Sequence, residues 1–320
     1  MQAKALWYVA PGRAELREEV LASSAGSLRI RALHGALSRG TESLVFHGKV
    51  PVSEHARMRA PHMGGAFPFP VKYGYSLVGR IDSGPMQGRT VFCLHPHQTV
   101  FDAATDAAIP VPANVPASRA ILAANMETAL NATWDAAPGP ADHIAVVGAG
   151  VVGMLVAYLC GRLPGAQVTL IDIDPGRAAV ASTLGVGFAA PKDAVGDCDL
   201  VFHASGSAAG LATAIALAGD EAKVIEMSWY GDTDVTVPLG GAFHSRRLSI
   251  IGSQVGKVAP SHRPRWPYAR RLRAALDLLA DERLDALIAP PIAFTDLPTQ
   301  LPRILAPGSG VLCQRIDYPA

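Results

Sequence analysis

The sequence predicts an α/β protein, a doubly wound parallel sheet joined to a β-rich domain, on three observations. From about residue 143, near-continuous apolar strands alternate with helical stretches, as in HIAVVGAG, VVGMLVAYLCGR, QVTLIDI, RAAVASTLG, DLVFHAS and GLATAIALAG. That alternation belongs to a parallel sheet covered on both faces. The first 120 or so residues instead carry short strand-like runs broken by Gly and Pro, such as AKALWYV, SLRIRALH, YSLVGRI and TVFCLH. A helical segment, ANMETALNATWDAA, lies between the two patterns and is ended by PGPAD.

A chain of 320 residues suits two domains. Hydrophobic residues make up 49% and charged residues 17%, with 28 basic against 27 acidic side chains. So even a balance offers no field for nucleic acid or an anionic membrane, and the expected partner is a small molecule. The N-terminus, MQAKALWYVAPGRAELREE, is charged too early for a secretory signal, so a soluble, cytoplasmic protein is expected. Four cysteines, Cys93, Cys160, Cys198 and Cys313, form no CxxC pair, which argues against a local four-cysteine zinc cluster.

After the strand His143 to Val147 comes Gly148-Ala149-Gly150-Val151-Val152-Gly153, which opens a helix. In that context the glycines form a dinucleotide fingerprint. Gly148 permits the tight turn, Gly150 lets a pyrophosphate approach the backbone, and Gly153 lets helix and strand pack closely. The helix start at Val151 and Val152 offers N–H groups to phosphate. About 20 residues beyond Gly153, Asp172 ends the next strand, where a carboxylate accepts ribose hydroxyls and repels a 2′-phosphate. A Rossmann domain binding NAD rather than NADP is therefore expected, with Arg177 able to soften the preference. Gly206, Ser228 and Ser253, at later strand ends, are candidates to line the nicotinamide, although each is also an ordinary turn residue.

The β-rich start, the helix, the Rossmann core and a short C-terminal return together resemble the medium-chain dehydrogenase/reductase superfamily, the alcohol dehydrogenase-like proteins, over essentially the whole chain. The resemblance implies a GroES-like catalytic domain of residues 1–122 with 258–320, and a Rossmann domain of 123–257. It also implies a homodimer or homotetramer, with LSIIGSQV as the candidate edge strand. Zinc members carry CGTD and GHE motifs; the matching segments here are Arg39-Gly40-Thr41-Glu42 and Gly74-Tyr75-Ser76. Arginine and tyrosine stand in place of the cysteine and histidine ligands, and neither is a zinc ligand at neutral pH. The third ligand position falls near Ala124 to Glu127, and the cysteine lobe of the structural zinc is missing. The resemblance thus implies a zinc-free member with no metal site.

In such a member Arg39 and the Tyr75 hydroxyl would stabilise charge on a carbonyl oxygen, Tyr75 doubling as proton source. Thr41 matches the hydroxyl that relays protons to the cofactor ribose, and Glu42 matches the acid behind the metal's ligands, free here to hold Arg39. The plainer alternatives are an Arg39–Glu42 ion pair bracing a turn and Tyr75 as a packing aromatic. Glu127 and Asn131 share one helix face and are expected either to touch substrate or nicotinamide or to be buried hydrogen-bond partners. His244, Arg246, Arg247, Arg263, Arg265, Arg270, Arg271 and Arg273 read as exposed helix charge or as an anion site. The functions that follow are an NAD(H)-dependent oxidoreductase for an alcohol and carbonyl pair, a reductase of an activated C=C bond, or a non-catalytic dinucleotide sensor.

Overall fold

The computed structural model describes residues 1–21, 26–83 and 86–319. The chain divides into two compact units, Met1–Ala124 with Leu272–Ala320, and Asn125–Arg271.

The second unit is built on six parallel strands in the order Gly187–Ala189, Gln167–Ile171, His143–Val147, Cys198–His203, Ala218–Glu226 and Ser249–Gly252. Counted along the chain this order is 3-2-1-4-5-6, the doubly wound arrangement in which ligands bind past the strand ends where the order reverses. That reversal falls between His143–Val147 and Cys198–His203. Ile144, Ala145, Val146 and Val147 are all buried, because both faces of a parallel sheet are covered and no position can be spared for a polar side chain. The Val151–Cys160 helix buries Met154, Leu155, Val156 and Ala157 in succession for the same reason. The predicted α/β class and its parallel sheet are present as expected.

The first unit holds a four-stranded sheet, in the order Arg13–Val20, Gln2–Ala10, Val71–Lys72 and Gly64–Gly65. It also holds a seven-stranded sheet centred on Ser27–Leu37, with Cys313–Asp317 and Leu77–Ile81 as antiparallel neighbours. The Arg39–Phe46 helix leaves the end of that central strand and so carries the 39–42 motif. Arg119 and Asp285 tie the unit's two chain segments together through paired bonds of 2.7 and 2.6 Å.

Three features differ from the sequence reading. The amphipathic pattern from Ala269 to Ile288 predicts one helix, but the chain is α-helical only over Tyr268–Asp277 and continues as short 3-10 segments at Leu278–Ala280 and Glu282–Leu287. Asp281 accepts from the Arg283 N–H and starts the last turn afresh, as capping carboxylates do. A strand at Ile288–Ala293 and a helix at Leu297–Leu305 were not foreseen. Four prolines between 290 and 302 conceal a helix whose buried face is Leu297, Leu301, Ile304 and Leu305. The second unit also runs to Arg271 rather than 257. The added residues are held to the Ala123–Ala136 helix, where the Ala259 N–H donates to Asn131.

The packing around Gly153 yields a direct expectation. A Cβ there would lie 1.9 Å from the Gly148 carbonyl oxygen, a backbone atom with no freedom to retreat. Gly153→Ala should destabilise the fold by at least the ~1–3 kcal/mol typical of overpacking. Urea unfolding would show a lowered midpoint, and titration would show loss of dinucleotide binding.

Candidate functional site

Two groups of predicted residues come together, one in each unit. In the second unit Gly148 takes φ +104°, and an added Cβ would collide with the backbone of Ala204 and Ser205. Only glycine lets this loop pass so near the end of the neighbouring strand. Gly150 is the N-cap of the Val151–Cys160 helix, with no side-chain cap, and an added Cβ would meet nothing within 4 Å. The N–H groups of Val151, Val152 and Gly153 therefore have neither a preceding helical carbonyl nor a capping side chain, and the backbone before them is uncovered. That donor set fits the pyrophosphate of a dinucleotide.

Asp172 follows the Gln167–Ile171 strand and faces the same loop. Its Oδ2 accepts from the Ala149 N–H at 2.7 Å and its Oδ1 from the Asp174 N–H at 2.9 Å. Each oxygen keeps a second lone pair for a ligand hydroxyl. Arg177 pairs with Asp174 at 3.1 Å rather than with Asp172. Gly206 has φ +67°, and its N–H donates to the Ser228 hydroxyl at 3.1 Å, so these two meet. Ser253 does not join them; its hydroxyl donates to Asp135 at 2.6 Å.

In the first unit, Tyr75 donates to the Ser38 hydroxyl at 2.5 Å. The Thr41 hydroxyl also reaches the phenol. Burial pushes the Tyr75 phenol up to about 12, against the pull of the Ser38 and Thr41 hydrogen bonds. Three hydroxyls thus cluster at the start of the Arg39–Phe46 helix, and Ser38 was the member missed by sequence reasoning. Its only signal was its place just ahead of the 39–42 motif.

Arg39 and Glu42 do not pair with each other, which corrects the expectation that Glu42 holds Arg39. The Arg39 guanidinium donates from Nε, Nη1 and Nη2 to the carbonyls of Ile304, Val311 and Ala306 at 2.9, 2.6 and 3.1 Å. It anchors the C-terminal return, and those three N–H groups are not aimed at a reacting oxygen. Glu42 is fully buried and accepts from the Tyr8 hydroxyl at 2.7 Å, the Ser38 N–H at 2.8 Å and His97 Nε2 at 3.0 Å. A buried carboxylate needs such donors, and a first-turn position on the helix favours its charge.

The donor set does not fit a catalytic zinc. The Arg39 guanidinium and the neutral Tyr75 phenol are poor zinc donors at neutral pH. Cys93, His95 and His97 do not converge either: His95 stacks on Phe101 at 4.0 Å, burial lowering its pKa to about 3, while His97 serves Glu42. Among the described residues, no three His, Cys, Asp or Glu side chains are grouped as metal ligands.

Glu127 and Asn131 do share a face of the Ala123–Ala136 helix, and what they meet is Arg271. Arg271 donates to Glu127 at 3.0 Å, to Asn131 at 2.6 Å and to the Val255 carbonyl at 2.6 Å. Glu127, a candidate catalytic residue, is thus an anchor for the 255–271 segment, and burial raises its pKa against the lowering effect of Arg271. Arg271, read as part of an exposed basic cluster, is 2% exposed.

Known proteins share this architecture. No protein-family model matches the chain. A curated relative from Escherichia coli (strain K12), described as an uncharacterized zinc-type alcohol dehydrogenase-like protein YphC, is 31% identical over 126 residues. The match takes in 36% of this chain and 35% of the relative, about a third of its length. The solved structure of L-idonate 5-dehydrogenase from Escherichia coli aligns over 99% of both chains with a TM-score of 0.80 and 14% identity. An Escherichia coli alcohol dehydrogenase (rspB) complexed with NADH aligns over 99% of both chains with a TM-score of 0.77 and 15% identity. At such identities the likeness shows the fold alone.

In keeping with the buried ion pair, Arg271→Met should cost about 3–5 kcal/mol, the penalty for stranding a buried charge. Glu127→Met combined with Arg271→Met should cost less than that single change. Chemical denaturation of the single and double variants checks both.

Proposed function

We propose that the chain is a nicotinamide-dependent oxidoreductase of the medium-chain dehydrogenase/reductase superfamily that interconverts a small alcohol and its carbonyl without a catalytic zinc. The observation that carries this reading is the Gly148–Gly153 loop with its uncapped helix start and Asp172 beside it. Bound there, the nicotinamide dinucleotide supplies or accepts the hydride. Asp172 favours NAD(H) over NADP(H), because it accepts ribose hydroxyls and repels a 2′-phosphate.

The chain's own residues handle the proton. In the reductive direction negative charge grows on the carbonyl oxygen, and the Tyr75 hydroxyl, now donating to Ser38, turns its hydrogen bond and then its proton to that oxygen. Ser38 and Thr41 steady the resulting phenolate by hydrogen bonds, and it takes a proton back from water. Glu42 secures the helix start that carries them, and Arg39 secures the chain return beneath it. With arginine and tyrosine in the ligand positions, no step needs a Lewis acid. A cytoplasmic homodimer or homotetramer, assembled through the edge strand Ser249–Gly252, completes the reading.

Oxidation of NADH on a panel of small aldehydes and ketones, before and after exhaustive chelation, tests it. Turnover that survives chelation supports the reading; stoichiometric zinc in the purified protein, or loss of rate with the metal, overturns the zinc-free part. Tight NADH binding with no turnover would mark a sensor instead. Tyr75→Phe should lower kcat about 100-fold or more, the usual contribution of a positioned acid. Since the phenol ionises only at about 12, the protonated donor persists below that value. Reduction by the native protein should accordingly show no loss from Tyr75 ionisation near pH 10, the ordinary tyrosine range.

A further inference from the structure

Strand ends in the second unit hold a constellation that hydride transfer does not use. His203 closes the Cys198–His203 strand and Glu226 closes Ala218–Glu226, and the two are register partners in neighbouring parallel strands. Register partners project to the same face, so imidazole and carboxylate meet: Nδ1 lies 2.7 Å from the Glu226 Oε2. Two residues past His203, the Ser205 Oγ lies 2.6 Å from Nε2. One tautomer satisfies both contacts, with Nδ1–H donating to the carboxylate and Nε2 accepting from the serine hydroxyl.

The carboxylate is itself held in place. Its Oε1 accepts from the Ser228 N–H at 2.7 Å and its Oε2 from the Tyr230 hydroxyl at 3.1 Å. Burial works to raise the Glu226 pKa, but the His203 and Ser228 contacts outweigh it and hold the group below its usual value, ionised at neutral pH. The His203 side chain is fully buried, whereas Ser205 is exposed. The neighbouring helix is shaped around the pair: a Cβ at Gly210 would fall 2.0 Å from the Ser205 Oγ and 2.9 Å from His203 Nε2.

We propose that Ser205, His203 and Glu226 act as nucleophile, base and orienting acid for acyl transfer from small activated carboxylic esters. The Ser205 Oγ attacks the ester carbonyl carbon while its proton passes to His203 Nε2. Collapse of the tetrahedral adduct breaks the bond to the leaving alcohol, which takes that proton from Nε2, leaving an acyl-serine and a neutral imidazole. Water repeats the two steps, its proton moving through Nε2 to the Ser205 oxygen, and the carboxylic acid departs. Glu226 stays ionised throughout and stabilises the imidazolium. The N–H groups of Ala208 and Ala209, in the first turn of the Ala208–Leu217 helix, have no helical carbonyl partner and are the available donors to the adduct oxyanion. A His–Glu brace with no further role would leave Ser205 an ordinary alcohol, and reactivity separates the two.

The test uses the full chain with no dinucleotide added, so that its result is independent of the oxidoreductase reading. The protein is treated with 4-nitrophenyl acetate and, separately, with a fluorophosphonate probe; nitrophenolate release and the mass of the peptide carrying Ser205 are measured. The expected result is covalent labelling at Ser205 that Ser205→Ala abolishes. His203→Gln and Glu226→Gln should slow it about 100-fold or more, in line with loss of a positioned base or of its tautomer. Glu226→Gln keeps an oxygen for the Ser228 N–H, so it stands in if His203→Gln does not fold, circular dichroism serving as the check. Absence of label from Ser205 in the native chain, or equal labelling of the native chain and folded Glu226→Gln, overturns the proposal.

Discussion

The contact on which the second unit depends is between two backbone atoms that only a missing side chain allows to approach. With a Cβ at residue 153, the helix could not sit against the Gly148 carbonyl, and its first N–H groups would be carried away from the strand end. Everything proposed for the dinucleotide follows from that closeness: the bare helix terminus, the uncovered Gly150 backbone, and the Asp172 carboxylate steadied by the Ala149 N–H inside the same loop. Side-chain chemistry plays little part in such a cradle. Its donors are peptide groups, and aligned peptide groups at a helix start attract phosphate.

The first unit solves a different problem, the burial of charge. Glu42 lies in the interior and is matched by a phenol, a backbone N–H and an imidazole, while Arg39 is matched by three carbonyls. Each charge is satisfied by its own separate set of polar groups. An Arg39–Glu42 pair would have drawn the guanidinium away from the carbonyls of the C-terminal return. Arg39 and Glu42 are thereby turned to holding the helix that carries Ser38 and Thr41 to Tyr75. The same double use recurs at Arg271, which neutralises Glu127 and fastens the 255–271 segment in one set of bonds.

How much of this was legible varies by residue. The glycine loop and Asp172 could be read directly, since strand, turn and helix are contiguous and their geometry is local. Ser253 was placed by its strand end alone, and its hydroxyl went to Asp135, far away in sequence, which no local pattern announces. Arg271 looked like its exposed neighbours Arg270 and Arg273 because composition does not distinguish the buried face of a helix rich in arginine. The helix at Leu297–Leu305 was hidden by prolines, although its apolar spacing was intact.

By itself, then, the order of amino acids determined the class of fold, the parallel sheet and the glycine-rich turn between strand and helix, all of which rest on hydrophobic period and on glycine's freedom of backbone angle. The three-dimensional arrangement alone decided which polar side chains become partners: Arg39 with carbonyls, Glu42 with His97 and Tyr8, His203 with Glu226 and Ser205. Such pairings depend on strand register and on contacts between distant segments. Burial makes every charged or hydrogen-bonding group seek whichever partner the packing brings near, and one-dimensional spacing carries no record of that choice.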